Sequence, residues 1–259
     1  MRASYNAHMV MAFQRSVALL GDTVLAVGRG LRGGWRFRPQ DLARLLADAS
    51  ARALPIVLVV NVLVGAIIAF VGAVQLTKFG AGIFVADLVA IAISREMAAV
   101  ITAVVMCGRT GAAYAAELAS MQANEEVDAL EVLGLDAVDF LVLPRVFALL
   151  VLLPLLYLFA CVGGLLGGYA VSASLLDLAP AAYFDRSMNA LTAAHLGLGF
   201  FKSMAFGALV SLAACHHGLS SARNAEGVGR ATTRAVVTGI VGVIAVDAVF
   251  AVCADALRI

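Results

Sequence analysis

The chain has 259 residues, of which 63% are hydrophobic and 14% carry a formal charge. Soluble domains average about 45–50% apolar and about 25% charged residues, so this chain has too few polar groups to cover a water-soluble globule. Its 18 Lys and Arg residues nearly balance its 17 Asp and Glu residues, and a net charge of +1 gives no reason to expect a nucleic-acid partner. The composition indicates an integral membrane protein and excludes a disordered chain, a collagen-like fibre and a secreted disulfide scaffold.

The first 52 residues mix apolar and charged positions. The stretch 9–27 is apolar but is interrupted by Arg15 and Asp22. In 41–53, apolar residues recur at helical spacing from Leu42 to Ala49, with charged residues between them. Because amphipathic helices of this kind lie in the headgroup plane, we expect residues 1–52 to form cytoplasmic interfacial helices. They would lead into a membrane domain over residues 53–259.

Five charge-poor stretches are long enough to cross a bilayer, which takes about 20 predominantly apolar residues. Two are free of formal charge, between Arg52 and Lys78 and between Arg145 and Asp177. The other three contain isolated charges, namely Asp87, Arg95, Glu96, Arg109, Lys202 and Asp247. The predicted fold class is an all-α integral membrane protein with five transmembrane helices, at about 53–76, 83–116, 146–176, 195–215 and 235–254. Overlapping GxxxG spacings within 163–168 predict close helix packing by the third span.

The positions of Lys and Arg predict the orientation, because these residues concentrate in cytoplasmic connections. One orientation places 13 of them inside and three outside, with Arg95 and Lys202 inside spans. We therefore expect a cytoplasmic N-terminus and a C-terminus on the outer side. Asp87 would then be a solvated residue at the outer boundary, without a role of its own.

A short acidic segment at about 116–134 lies between the second and third spans. Its apolar residues fall at helical spacing, and Gly134 is a natural helix stop. Two interpretations are open from the periodicity. The segment is either a short amphipathic helix that docks into a groove on a soluble partner or a solvated loop helix.

Three blocks of sequence carry a family resemblance: SREMAAVITAVVMCGRTGAAYAAELASMQANEEVDALEVLGLDAVDFLVLPR at 94–145, FKSMAFG at 201–207 and GLSSARNAEGVGRATTRAVV at 218–237. They resemble the permeases of the lipid-trafficking ABC transporters linked to MCE proteins, the MlaE-like or YrbE-like family. The chain departs from the family after Glu96, where Met97, Ala98 and Ala99 stand in place of Leu-Gly-Pro. Loss of an interior proline predicts a locally straighter helix.

The resemblance implies a homodimer that sits on two ABC ATPase subunits, with an MCE-domain protein ring on the periplasmic side of the inner membrane. A STAS-domain regulator is left open. ATP and Mg would be used by the partner ATPase, and this chain would bind no cofactor or metal and would not be an enzyme. The sequence has no GxxxxGK[ST] phosphate loop. The implied cargo is phospholipid, moved between inner and outer membranes.

The same resemblance makes the segment at about 116–134 the coupling helix that fits the ATPase. A second cytoplasmic connection, at 218–234, carries Arg223, Arg230 and Arg234, and three interpretations are open from these residues: contact with the ATPase, binding of anionic lipid headgroups, or a positive-inside anchor. The candidate ATPase-coupling residues are Glu117, Met121, Glu125, Glu126, Asp128, Leu130, Glu131, Glu226, Arg230 and Arg234.

The charges inside the spans are candidates for a lipid path: Arg95, Glu96, Lys202 and Asp247. A charge at the bilayer centre costs about 2.5–3.5 kcal/mol on insertion scales, so such residues pair or face water. The alternative is a structural pair that holds helices together, such as Arg95 with Asp247. Lys202 would lie near the outer interface and either extend outward along its stem or attract a lipid phosphate.

Other functions remain as alternatives. An ABC permease for a sterol or a solvent-like cargo is compatible with the same fold. A proton-coupled carrier or an intramembrane enzyme would use the same buried charges, but neither accounts for the acidic segment between the spans.

Overall fold

The computed structural model describes residues 21–23, 25–29 and 39–256, and within these ranges the chain is helical and has no strand. Five helical stretches are long and apolar enough to cross a membrane, which confirms the all-α class and the number of spans. They are Leu42–Phe79, Gly82–Ala123, Val138–Leu176, Ala193–Leu219 and Ala225–Ala256. Most of the stretch 9–27 lies outside the described residues, as do Arg2, Arg15, Arg32, Arg36, Arg38 and Arg258.

The five spans alternate in direction, so the connections gather at two ends of the bundle. The hairpin end holds the turn between the second and third spans and the turn between the fourth and fifth. The opposite end holds the 3₁₀ turns Thr77–Phe79 and Gly82–Phe84 and the short helix Pro180–Ala190. We use these two names below.

The first span belongs to one uninterrupted helix, Pro39–Leu76. The amphipathic stripe therefore continues into the membrane-spanning part, and residue 52 is not an element boundary. Ala49, Ala53 and Val57 lie on its buried face, whereas Val59 and Leu63 are more than half exposed. The helix contains Pro55 without a break.

Glycines hold the first and third spans in direct backbone contact. A Cβ at Gly65 would overlap the carbonyl oxygen of Gly164, and a Cβ at Gly167 would overlap that of Val62. No side chain fits at either crossing point, so the helices approach as closely as their main chains allow. The close packing predicted from the glycine spacing is confirmed.

Wide helical turns interrupt the second and third spans. The second span is built from Val85–Ala92, the π turn Ile93–Met97, Ala98–Met106, the π turn Cys107–Gly111 and Ala112–Ala123. The third begins with the π turn Val138–Val142 and continues as Leu143–Leu176. A π turn, a local irregularity of the α-helix, ends at Met97, and the regular α-helix Ala98–Met106 follows it. The straightening expected from the loss of the proline stays a prediction.

Candidate functional site

Lys202 is the centre of a charged cluster inside the bundle. Its side chain is 0% exposed, and its Nζ lies 2.9 Å from Asp247 Oδ1. On the other side Nζ donates a hydrogen bond to Glu96 Oε2. The three residues come from the second, fourth and fifth spans, so one ammonium group joins three helices.

Arg95 completes the charged cluster, which we define as Arg95, Glu96, Lys202 and Asp247. Arg95 Nε lies 3.6 Å from Glu96 Oε1, and both residues lie in the π turn Ile93–Met97. Two cations and two carboxylates make the cluster neutral as a whole. The Arg95, Glu96 and Asp247 side chains are each about a quarter exposed, at 25%, 26% and 24%, whereas Lys202 lies behind them.

Two expectations about these residues are wrong. Asp247 pairs with Lys202, and the only ion pair of Arg95 among the described residues is with Glu96. Lys202 does not extend to the outer interface, because its ammonium group is enclosed between two carboxylates. Burial of a lone ammonium group is costly because it loses its hydration, and the two carboxylates offset that cost.

The charged cluster lies inside the bundle, closer to the opposite end than to the hairpin end. Lys202 is nine residues beyond Ala193, where its helix begins, and Asp247 is nine residues before Ala256, where its helix ends. At 1.5 Å per residue, each lies roughly 14 Å along the helix from that end. The arrangement presents paired charges of both signs at one depth, which suits a zwitterionic or anionic polar group better than an apolar chain.

A short helix, Glu126–Val132, forms the turn between the second and third spans, and we call it the connector helix. It is separated from the second span by Glu125, whose φ of 60° is left-handed. Gly134 ends it at a φ of 75°, with hydrogen bonds from Gly134 N to Glu131 O and from Leu135 N to Leu130 O. This is the Schellman pattern of a helix stop. Residues 116–123 of the predicted segment belong to the second span instead.

The connector helix has a buried side and an exposed tip. Val127 packs into an apolar cluster with Leu118, and Leu130 packs against the same cluster. By contrast, Val132 is 88% exposed and Leu133 is 74% exposed. We call these last two residues the connector tip.

The acidic residues of the same region are largely paired within the chain. Glu117 Oε2 lies 2.9 Å from Arg145 Nη2, and Asp128 Oδ2 lies 2.7 Å from Arg223 Nη1. Glu126 accepts a hydrogen bond from Asn124. The remaining predicted contact residues are placed as follows: Glu125, Glu131 and Arg234 are exposed, Met121 packs beside the apolar cluster, and Glu226 pairs with Arg230 at 2.6 Å on an exposed face.

Several residues of this architecture escaped the sequence analysis. Val132 and Leu133 directly precede Gly134. A helix stop placed directly after two apolar residues was the signal in the sequence for an exposed tip. Asp87 is not a freely solvated boundary residue, because Arg186 binds both of its carboxylate oxygens, at 2.6 and 3.1 Å. Within the described ranges, no group of three or more His, Cys, Asp or Glu side chains is arranged to hold a metal ion.

Comparison with known proteins gives a consistent family. The family described as Permease MlaE matches residues 42–253, which confirms the resemblance seen in the sequence. A probable ABC transporter permease of Rickettsia conorii is 35% identical over 76% of both chains. A probable ABC transporter permease of Synechocystis is 32% identical over 89% of this chain and 87% of its own. Protein TRIGALACTOSYLDIACYLGLYCEROL 1 of Arabidopsis thaliana, a chloroplast protein, is 33% identical over 88% of this chain and 64% of its own.

Proposed function

The chain belongs to the MlaE permease family, and from that premise we propose that it is the membrane subunit of an ABC transporter that moves phospholipid. An ABC permease works with a separate ATPase, and relatives are named as probable ABC transporter permeases. The phospholipid cargo is our proposal. It draws on the family description and on the membrane lipid in the printed name of the Arabidopsis relative, a diacylglycerol that carries three galactoses.

The observation that carries the proposal is the connector tip. Val132 and Leu133 are large apolar side chains held in the open at the hairpin end, on a helix whose other side is packed into the bundle. An apolar helix end of this kind fits a groove on a soluble partner. We propose that the groove belongs to the ATPase and that the apolar tip, rather than the acidic residues alone, supplies the contact.

The exposed charges around the tip would orient this contact. Glu125, Glu131 and Arg234 are exposed, and Glu226 and Arg230 form an exposed pair on the neighbouring helix. Charges at the rim of an interface steer association and fix register more than they add affinity. We therefore assign these five exposed residues to the rim, and Leu130 and Met121 to the support beneath it.

The charged cluster supports the second half of the proposal, a path for a lipid headgroup. Arg95, Glu96 and Asp247 each keep about a quarter of their side chain exposed, around the enclosed Lys202. A headgroup phosphate would be attracted to Arg95, and an amine to the carboxylates. Binding of either would disturb the pairing around Lys202 and so link cargo to the packing of three spans.

The proposed orientation places the hairpin end in the cytoplasm and the C-terminus in the periplasm, in the inner membrane. Among the described residues, eight arginines lie at or near the hairpin end, and Lys78 and Arg186 lie at the opposite end. The eight are Arg29, Arg44, Arg52, Arg109, Arg145, Arg223, Arg230 and Arg234. Cationic connections favour the cytoplasmic side.

The proposed assembly is a homodimer of this chain on two ATPase subunits. An MCE-domain ring would receive or deliver lipid on the periplasmic side, and a STAS-domain regulator is a further candidate partner. ATP-driven closure of the ATPase pair would move the connector helices, and the spans would then change the access of lipid to a cavity between the two permeases. ATP and Mg would bind to the ATPase.

The proposal is tested by transport in vesicles that contain the chain and the ATPase co-expressed with it. We expect phospholipid transfer that requires ATP and stops when the phosphate-loop lysine of the ATPase is replaced. Mass spectrometry of lipid that co-purifies with the complex would identify phospholipid. Transfer that continues without ATP and follows a proton gradient would contradict the proposal, and a co-purifying sterol would contradict the cargo.

A further inference from the structure

Arg145 is a buried cation that the proposed lipid path and ATPase contact do not use. It lies near the start of the helix Leu143–Leu176, and only 5% of the residue is exposed. Its guanidinium group has three contacts. Nη2 pairs with Glu117 Oε2 at 2.9 Å, Nη1 donates to the carbonyl of Leu141 at 2.7 Å, and the group lies 5.6 Å from the centre of the Tyr114 ring.

These contacts close the base of a loop. Glu117 lies near the end of the second span and Arg145 near the start of the third, and the connector helix lies between them in sequence. We call residues 117–145 the hairpin. The bond to Leu141 reaches back into the π turn Val138–Val142. One guanidinium group therefore fixes the two segments that flank the connector helix, the segment before it through Glu117 and the segment after it through Leu141.

Apolar packing already holds this part of the chain in place. Leu118, Val127, Leu141, Val142, Val146 and Cys215 form one buried cluster around the hairpin base. Replacement of a buried ion pair by apolar residues of similar volume is often neutral or stabilising. The Arg145 Nε has no hydrogen-bond partner within the part of the chain that the structure describes. Stability alone therefore does not account for an arginine at this position.

The guanidinium group adds a fixed bonding geometry, which apolar packing does not supply. An apolar cluster tolerates small rotations of its members, whereas a guanidinium bonded to a carboxylate and a carbonyl fixes the geometry of both. We propose that Arg145 is a positioning residue that makes the hairpin and the third span move as one body, so that motion imposed on the connector helix reaches the bundle. This inference rests on the proposed function.

The first test compares Arg145→Met with wild type in vesicles that contain the ATPase. We expect the complex to assemble and to hydrolyse ATP, while the lipid moved per ATP falls about tenfold, within the range over which single residues change coupling. Arg145→Lys keeps the charge but replaces the two bonding nitrogens of a planar group by one nitrogen without fixed donor directions, and it should recover part of the loss. Arg44→Met removes an exposed arginine at the same end and should leave the ratio unchanged.

Wild-type lipid transport per ATP in Arg145→Met would overturn the proposal. If that variant does not assemble, the double variant Glu117→Met/Arg145→Met removes the unpaired carboxylate as well. This double variant must then show the same low ratio, and a wild-type ratio would also overturn the proposal. Absence of ATP-driven transport in the wild type is a different result, because it contradicts the proposed function and not the role of Arg145.

A second measurement does not depend on cargo. Spin labels at Ala129, on the exposed side of the connector helix, and at Val162, on the exposed side of the third span, report the distance between the two bodies. We expect one narrow distance distribution in the wild type, with and without ATP. In Arg145→Met we expect a broad distribution, and an unchanged narrow one would overturn the inference.

Discussion

Lys202 is a side chain on which three spans converge, through Glu96 and Asp247. Lys202→Met would leave Asp247 without a cation and Glu96 with Arg95 alone, at 3.6 Å. Removal of one partner from a buried ion pair costs about 3–5 kcal/mol, so we expect a large fall in the free energy of unfolding and loss of transport. Denaturant titration in detergent and vesicle transport measure the two effects.

A neutral cluster separates the structural role of these residues from their role in transport. In Arg95→Met/Glu96→Gln/Lys202→Met/Asp247→Asn, both cations and both carboxylates of the cluster are removed, so no charge remains unpaired and stability should largely return while transport stays absent. Wild-type transport by this quadruple variant would show that the charged cluster only holds helices together. Unchanged stability of Lys202→Met alone would contradict the contacts themselves.

The sequence identified the charged residues of the cluster but not their partners. Arg95, Glu96, Lys202 and Asp247 stand out because charges are rare in apolar spans. Which of them pair depends on which helices are neighbours and on how far along each helix they lie, and the sequence does not show either. Lys202 was assigned to the interface for this reason, although its helix is packed against the second and fifth spans.

At the scale of elements, the contact between the first and third spans makes a sharp prediction. Gly167→Ala would place a methyl group on the carbonyl oxygen of Val62. The helices must separate, and overpacking of this kind costs about 1–3 kcal/mol. The thermal midpoint of the purified chain should fall. Gly197→Ala is the control, since nothing lies within 4 Å of the added atom, and an equal fall in both variants would contradict the close approach.

The short helix Pro180–Ala190 is attached to the opposite end by an ion pair and an aromatic side chain. Arg186 binds Asp87 and lies 4.5 Å from the centre of the Phe84 ring, and Tyr183 is fully buried. Hydrogen bonding to Asp87 raises the pKa of Arg186, so the guanidinium stays charged at any working pH. Burial raises the pKa of Tyr183 to about 12, so its hydroxyl stays neutral there.

We therefore expect Asp87→Asn to loosen this helix at neutral pH. Hydrogen exchange of the amides in Pro180–Ala190 should speed up, while exchange in the first span stays unchanged. The matched control is Asp185→Asn, an exposed carboxylate on the same helix whose contact is a 3.4 Å bond from Asn189. Equal exchange in the two variants would show that the ion pair with Arg186 does not hold the helix.

The sequence predicted the spans well and their irregularities poorly. Charge-poor runs mark where a helix can cross the bilayer, and all five predicted spans are present. The π turns at Ile93–Met97 and Cys107–Gly111 have no characteristic amino-acid composition that would predict them, because a π turn depends on the packing around it. The sequence also did not predict where the first helix begins, because an amphipathic stripe is typical of a separate interfacial helix even where one helix continues through it.

In the whole molecule, ion pairs from two distant segments converge on the hairpin. Arg223 binds Asp128, and Arg29 of the N-terminal segment lies 3.1 Å from Asp139. These two pairs join the hairpin to the turn between the fourth and fifth spans and to the N-terminal segment, while Arg145 and Glu117 join its two ends. Much of the acidic character predicted to face a partner is thereby used within the chain, and the connector tip is an exposed apolar surface at this end.

The contact between the connector tip and the ATPase is central to the proposed function, and site-specific cross-linking tests this contact most directly. In a background with the exposed Cys253 replaced, Leu133→Cys is expected to form a cross-link to the co-purified ATPase. Met188→Cys, 66% exposed at the opposite end, should form none. A complex in which Leu133→Cys remains uncross-linked and reacts freely with a water-soluble thiol reagent would contradict the claim.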